Sequence, residues 1–291
     1  MILLTGATGV VGSALLRRLI AAGEPVRCLV RDARGLNQQR VRVQIALGDL
    51  ADPASFRHAL RGVTTVVHLA ASIRDQPHVS IEELNAVATL RLVRAAQRAG
   101  ARRFLFFSAM GAGRHSRTRF MRAKALAQRA VESSPLETAV FRPSIVYTRG
   151  DPWLTLLERM ARLPVMPVSG SGRALFQPIW AEDVADCVLA ALMASGPRRR
   201  CFELAGPETL SYDDMARASM RMTGHSRPLV HVPLPVVRAS LRSLRRVAGA
   251  RAFATWEEAE LMEEPMTTSD GTADAEALGV RPVAMATILG T

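Results

Sequence analysis

A doubly wound α/β architecture, a parallel sheet with helices on both faces, is predicted by three features of the sequence. Short apolar runs alternate with segments of helical period from the first residues onward. The first run leads into a glycine-rich turn that opens a helix. Small or polar residues then recur where successive units turn: Gly12, Arg31, Asp49, Ala70 and Ser108. Strands alternating with helices build a parallel sheet whose ligand crevice lies outside the C-terminal ends of its strands, the edge on which these residues fall.

In order, Ile2-Leu3-Leu4 reads as a short buried strand, and Ser13 to Ala22 has helical period, with Ala14, Leu15, Leu19 and Ile20 apolar and Arg17 and Arg18 polar. Between them, Thr5 to Gly12 carries glycines at Gly6, Gly9 and Gly12, a GxxGxxG spacing rather than GxGxxG. A dinucleotide site needs such a join. One glycine makes the tight turn, one lets the backbone approach the pyrophosphate, and one allows close packing of helix on strand, with the helix N-terminus aimed at the negative charge. An ordinary strand-turn-helix has similar glycines; the flanking strand and helix favour the phosphate reading. Pro25 to Val30 is the second strand and ends in Arg31-Asp32. An acidic side chain there accepts from the ribose 2′-hydroxyl of NAD, whereas an arginine accommodates the 2′-phosphate of NADP. Arg31 favours NADP(H) over NAD(H). Asp32 lies beyond the strand end, and its other reading is pairing with a neighbouring arginine.

Val43 to Leu47 is a third strand, and Asp49 and Leu50 after it are expected at the adenine. Asp52, before Pro53, reads equally as a helix cap. Thr65 to Leu69 is a fourth strand, followed by Ala70-Ala71, small enough to let the backbone crowd a cofactor. Ile81 to Ala99 is a long helix carrying Asn85. Arg103 to Phe107 is a fifth strand ending at Ser108, and Glu137 to Arg142 a sixth, followed by Pro143-Ser144 and Tyr147.

Composition bounds the function. The 291 residues, 48% hydrophobic, hold ample material for a core. No apolar run reaches bilayer-spanning length and the first residues are already strand, so the expectation is a cytoplasmic protein without a leader. Cys28, Cys187 and Cys201 lack CxxC spacing, and the histidines lack ligand spacing, so neither a disulfide framework nor a protein-bound metal is expected. A formal net charge of +12 is spread over almost every predicted helix, and aromatics are only 5%, which argues against sequence-specific nucleic-acid recognition. Of 38 basic residues only Lys124 is lysine. A chain otherwise basic through arginine has kept one compact ammonium whose pKa can move.

The stretches TGATGVVG, LVRD, GDL, HLAA, the Asn85 helix, FLFFSAMGA, FRPSIVY and PIWAEDVA have the order and spacing of landmarks in the short-chain dehydrogenase/reductase superfamily, which the chain resembles over nearly its whole length. CFELAGPETLSYDDMA and the tail ALGVRP resemble its atypical branch, which includes the nucleotide-binding accessory subunit of respiratory complex I, with a looser likeness to NmrA-like proteins. The resemblance implies a Rossmann sheet of about seven strands. It also implies a dinucleotide held by Gly6, Thr8, Gly9, Val10, Val11, Gly12, Arg31, Asp49, Leu50, Leu69, Ala70, Ala71, Asn85, Ser108, Lys124, Arg142, Pro143 and Ser144.

In that superfamily a serine holds the substrate oxygen, a tyrosine is the acid/base, and a lysine four residues later holds the nicotinamide ribose. Residues four apart share a helix face, so both can address one point. Ser108 and Lys124 match the first and third roles, but Phe120 stands at the tyrosine position, and a phenyl ring carries no proton to transfer. Tyr147, if it faces the crevice rather than packing as a buried aromatic, His115, Ser116, Thr118, Lys124 itself or water are the remaining proton sources. Two expectations stand side by side: an NADPH-dependent reductase or isomerase of a small hydrophobic carbonyl, enone or quinone, and a non-catalytic NADP(H)-binding structural, redox-sensing or complex-assembly protein.

The chain is expected to divide into a dinucleotide-binding core (1–147), a substrate-lobe insertion (148–176), a return to the sheet (177–206) and a small C-terminal lobe (207–291). Asp151 to Arg162 is an amphipathic helix and Pro164 to Gly172 a loop. Tyr147, Trp153, Phe176, Gln177 and Trp180 either line a substrate pocket or form plain lobe core. Glu182 and Asp183 complement the N-terminus of the returning helix. Pro235 to Ala248 sets Val237, Leu241, Leu244 and Val247 against Arg238, Arg242, Arg245 and Arg246. Its apolar stripe is expected to pack on the small lobe, the other reading being peripheral contact with an anionic membrane or an acidic partner. Trp256 to Glu264 reads as an acidic helix, and Thr267 to Pro282 as a loop.

Overall fold

The computed structural model describes residues 1–77, 79–194, 200–249 and 253–290. Stretches 195–199 and 250–252 of the expected third and fourth segments lie outside the described residues. The chain runs through β1 (Ile2–Thr5), α1 (Val10–Ala21), β2 (Val26–Val30), β3 (Gln44–Leu47), α2 (Pro53–Phe56), β4 (Thr65–His68), α3 (Ala88–Arg98), β5 (Arg103–Phe107), α4 (Arg119–Glu132) and β6 (Glu137–Pro143). There follow β7 (Val146–Tyr147), α5 (Pro152–Ala161), β8 (Met166–Ser169), β9 (Leu175–Phe176), β10 (Ile179–Trp180), α6 (Ala181–Met193) and β11 (Arg200–Leu204). Last come β12 (Leu210–Ser211), α7 (Tyr212–Met222), β13 (Leu229–Val232), α8 (Leu234–Ala248), α9 (Trp256–Leu261), α10 (Ala273–Ala277) and α11 (Met285–Leu289).

Seven strands form one sheet in the order β11-β6-β5-β4-β1-β2-β3, every pairing parallel. The chain begins in the middle, runs outward through β2 and β3, then crosses back to lay β4 on the other side of β1. This reversal is the switch point at which doubly wound sheets hold a ligand. Alternate residues of β1 face opposite layers: Ile2 and Leu4 pack with α1 and α6, and Leu3 with α3 and α4. Burial on both faces is why the strands read as continuous apolar runs. Arg18 ties α1 to α6 by pairing with Glu182 and Asp186, and Arg17 also reaches Glu182. Asp183 accepts the backbone N–H of Val283 at 2.8 Å. The acids at the start of α6 therefore hold a helix and the C-terminal tail, beyond any effect on the helix dipole.

A second core joins α5, α7 and the small strands, with Tyr147, Leu154, Leu157, Met166, Phe176, Tyr212 and Met215 at its centre. The expected loop Pro164 to Gly172 contains β8, which pairs in parallel with β13. Met166 and Val168 are buried and alternate with half-buried Pro167 and Ser169, a strand pattern obscured by the surrounding Pro, Gly and Ser. The expected continuous helix Ile81 to Ala99 carries a π-turn over Glu83–Val87. There the Asn85 side-chain amide donates to the carbonyls of Ile81 and Ser72, each at 2.8 Å, drawing on the acceptor that an ordinary α-helical turn reserves for its backbone. The stretch Thr267 to Pro282 contains α10 rather than loop alone. The stripe of α8 is packed in part: no residue of that helix is fully buried, Val237, Leu241 and Leu244 are half covered, as is Leu234, on a helix that meets α9 of the small lobe, and Val247 is exposed. Among the described residues no helix is long and apolar enough to cross a membrane.

Candidate functional site

The glycine loop joins β1 to α1 at the switch point. Gly6 has φ +73°, and a Cβ there would lie 2.6 Å from the backbone nitrogen of Ala70. A Cβ on Gly12 would lie 2.0 Å from the Gly6 carbonyl oxygen, so the helix closes on the turn only without a side chain. Gly9 caps α1 with no side-chain hydrogen bond, and the first turn holds no acid. The first helical bond runs from Ser13 N–H to Gly9 O at 2.9 Å. The N–H groups of Val10, Val11 and Gly12 thus have no acceptor within the helix and point with its dipole at the mouth of the crevice. Thr8 and Gly9 are exposed beside them. A row of free backbone donors at a helix N-terminus, on a turn whose Gly6 and Gly12 leave no room for a Cβ, fits a pyrophosphate.

Beneath the loop lies a buried polar chain. Thr5 Oγ1 is 2.7 Å from His68 Nδ1, and His68 Nε2 is 3.0 Å from Thr89 Oγ1. The Thr89 hydroxyl donates to the carbonyl of Asn85. Because a carbonyl only accepts, the Thr89 oxygen must accept from Nε2–H, and Nδ1 must then accept from the Thr5 hydroxyl. Thr5 Oγ1 in turn accepts from Ala70 N–H at 3.4 Å. One neutral tautomer satisfies every member. Burial, with the nearby Lys124 charge adding to it, pushes the His68 pKa down to about 3, so the tautomer is stable at neutral pH. Asn85 extends the chain, accepting from Ser72 N–H at 3.2 Å. The crevice wall Ala70–Ser72 is thus pinned from below.

Ser108 follows β5, its N–H donating to Phe141 O at 2.8 Å. Its hydroxyl is buried and has no hydrogen-bond partner. Lys124, on α4, donates through Nζ to the carbonyl of Phe107 at 2.6 Å. Nζ lies 5.1 Å from the centre of the Phe106 ring and 5.7 Å from that of Phe120. Burial of the ammonium pushes its pKa down to about 7. Thr118 caps α4 and sets Phe120 and Lys124 on one inward face. Buried Phe120 gives that face a ring in place of a hydroxyl. A buried serine hydroxyl and an amine able to change charge near neutrality can together polarise a carbonyl oxygen and supply a proton.

Other predicted site residues are distributed around this centre. Exposed Arg31 donates to Gln76 Oε1 at 2.8 Å, while Asp32 accepts from Arg34 N–H and pairs with its guanidinium. Asp49 accepts from Ala51 N–H within its own turn, and Asp52 caps α2. Leu50, Leu69 and Ala70 are half-buried and Ala71 is exposed on the crevice side of the loops. Arg142 pairs with Glu203 at 2.8 Å on the neighbouring strand, beside buried Pro143. The Ser144 hydroxyl donates to Met266 O and accepts from Gln177 N–H, and the Gln177 side chain bonds Thr268 at both its ends. Ser144 and Gln177 therefore strap the C-terminal tail across the sheet edge. Tyr147 and Phe176 are fully buried lobe core, and burial pushes the Tyr147 pKa up; Trp153 and Trp180 are half-buried at its margin.

The sequence reading missed the Thr5–His68–Thr89 chain, although a histidine inside the apolar run Val66-Val67-His68-Leu69 is a visible departure. It also missed Arg119, next to Phe120, which pairs with Asp75 and Glu82 at the crevice rim. Burial raises the Asp75 carboxyl, but the Arg119 bonds outweigh it and hold the group below its ordinary range. Residues so far apart in sequence leave no local pattern.

A family model described as NAD(P)H-binding matches residues 6–195, well over half the chain. Over 247 residues the chain is 27% identical to the mitochondrial NADH dehydrogenase [ubiquinone] 1 alpha subcomplex subunit 9 of Arabidopsis thaliana, an alignment covering 80% of this chain and 60% of that one. It is 28% identical to the NAD(P)H azoreductase of Xenophilus azovorans, over 82% of this chain and 79% of that protein. In fold it is similar to a nucleoside-diphosphate-sugar epimerase from Staphylococcus aureus, with a TM-score of 0.77, 22% identity and coverage of 100% and 99% of the two chains. The chain belongs to the NAD(P)H-binding family.

Proposed function

We propose that the chain binds NADPH and reduces or isomerises a small apolar carbonyl, enone or quinone. One observation carries this reading: the buried Ser108 hydroxyl has no protein partner, one residue beyond the carbonyl that holds the Lys124 amine. An unpartnered buried hydroxyl costs stability unless something else accepts its bond, and a substrate oxygen is such an acceptor. The bound dinucleotide supplies the hydride. Gly6, Thr8, Gly9, Val10, Val11 and Gly12 hold the pyrophosphate, Arg31 meets the 2′-phosphate, and Asp49 and Leu50 border the adenine. Leu69, Ala70 and Ala71 form the wall that the Asn85 chain stiffens. Ser108 donates to the substrate oxygen, and the Lys124 ammonium, poised near neutrality, delivers the proton that Phe120 cannot. The Phe120 ring, 5.7 Å from Lys124 Nζ, favours an apolar substrate. The likeness to an azoreductase supports the same class.

A second reading is a non-catalytic NADP(H)-binding subunit. It is favoured by Phe120, whose buried ring stands where the acid/base is expected, and by the likeness to a respiratory-chain subunit. The test is to purify the protein, identify the nucleotide it carries, and offer the NADPH-loaded form quinones, enones and aldehydes. Oxidation that disappears in Ser108→Ala supports the reductase. Tight NADPH that nothing oxidises supports the second reading. Turnover acquired only by Phe120→Tyr supports it further.

A further inference from the structure

We propose that α8 is a membrane-docking helix, lying on an anionic lipid surface through its outward face. The helix has fifteen residues, and none of them is fully buried. Leu234, Val237, Leu241, Leu244 and Ala248 recur at helical spacing and form its half-covered seam, which meets α9. An exposed sector beside this seam carries Val236, Ala239, Ser240, Ser243 and Val247, with Val236 52% and Val247 90% exposed. Phe253, just beyond the helix, is 59% exposed. Arginines line the edge of this face. Arg238 stacks on Trp256 at 5.3 Å and Arg245 approaches Glu257 at 3.8 Å, so both are held toward α9. Arg242 and Arg246 are exposed, and among the described residues no carboxylate is within ion-pairing distance of either. From Leu234 to Gly249 there is no acidic residue.

An outward face that mixes small and apolar side chains, edged by arginines and free of acids, matches the boundary between lipid headgroups and acyl chains. An acidic protein surface would satisfy the arginines, but it gives no reason for Val236, Val247 and Phe253 to face solvent. The position of the helix gives docking a consequence. Glu258 on α9 pairs with Arg74 at 2.8 Å, and Arg74 also donates to the Phe253 carbonyl at 3.1 Å. Arg74 belongs to the loop after β4 that walls the crevice. α8 and α9 lie between this loop and the lipid, so a docked molecule holds its crevice rim about 20 Å, two helix diameters, from the lipid surface. Docking needs neither nucleotide nor turnover, so it stands or falls apart from the reductase reading.

The test is cosedimentation of the purified full chain with phosphatidylcholine vesicles, with and without phosphatidylglycerol, at low and high salt. The expected result is binding only to the anionic vesicles, weakened by salt, and about thirtyfold weaker in Arg242→Ala/Arg246→Ala. The charge-conserving Arg242→Lys/Arg246→Lys form should bind like the parent, because a lipid surface reads charge rather than the guanidinium fork. Thermal unfolding and nucleotide binding of both variants should match the parent. The proposal is overturned if anionic vesicles leave the parent in the supernatant at low salt, or if the alanine pair binds them as the parent does. Loss of binding in the lysine pair would equally overturn it in favour of a protein partner that reads arginine geometry.

Discussion

Lys124→Met tests the electrostatic state of the candidate centre with no substrate in hand. Methionine has nearly the same length and removes the charge. In the folded chain the amine loses its proton near pH 7, whereas in the unfolded chain it keeps it to the ordinary lysine value of 10.5. Between these limits the unfolded state binds the extra proton, so this group makes stability rise with pH across the window. At ~1.4 kcal/mol per pH unit the interval amounts to about 5 kcal/mol, the cost of charging the buried amine at low pH. The variant escapes that cost but loses the 2.6 Å bond to the Phe107 carbonyl, a net contribution of about 1 kcal/mol. At pH 6 the variant should therefore be the more stable by about 4 kcal/mol. The difference should shrink through pH 8 and 9 and change sign between about pH 9 and 10. Urea unfolding of both proteins across this range reads the difference directly, and pH effects from the other ionisable groups cancel. Parallel stability curves would refute the reasoning, because they would mean that the amine is not desolvated by folding.

Further outcomes follow from the same geometry. Gly12→Ala puts a methyl 2.0 Å from the Gly6 carbonyl oxygen; it should cost about 1–3 kcal/mol of stability and abolish nucleotide binding, read by urea unfolding and NADPH fluorescence. Thr89→Val strands the His68 Nε2–H and the Asn85 carbonyl, a loss of about 1–3 kcal/mol that Thr89→Ser should largely restore. Arg31→Ala should weaken NADPH binding by about ten- to a hundredfold and leave NADH unchanged, since only NADPH offers a phosphate to the guanidinium; equal loss for both would remove Arg31 as the phosphate reader.

Much of the fold was legible because its signals are local. β1, β2 and β5 announce themselves as apolar runs, and α1 by helical period. The glycines of the loop are legible for a steric reason: at Gly6 and Gly12 backbone lies where a Cβ would sit. β8 was less so, since four residues of alternation are a weak signal beside prolines and glycines. The strand is stabilised by β13, some sixty positions later. The π-turn at Glu83–Val87 depends on Asn85 reaching Ser72 across a loop, which helical periodicity cannot register.

The sequence by itself determined the sheet, the phosphate loop and the presence of Ser108, Phe120 and Lys124, because each rests on neighbours within one turn or one strand. The tertiary structure alone decided the chemistry of those residues. It buries Lys124 beneath Phe106 and brings its pKa near neutrality, and it leaves the Ser108 hydroxyl without a partner. It assigns Ser144 and Gln177 to the tail, and leaves the outward face of α8 uncovered. Burial and pairing are set by what packs against a residue, and those partners lie tens to hundreds of positions away.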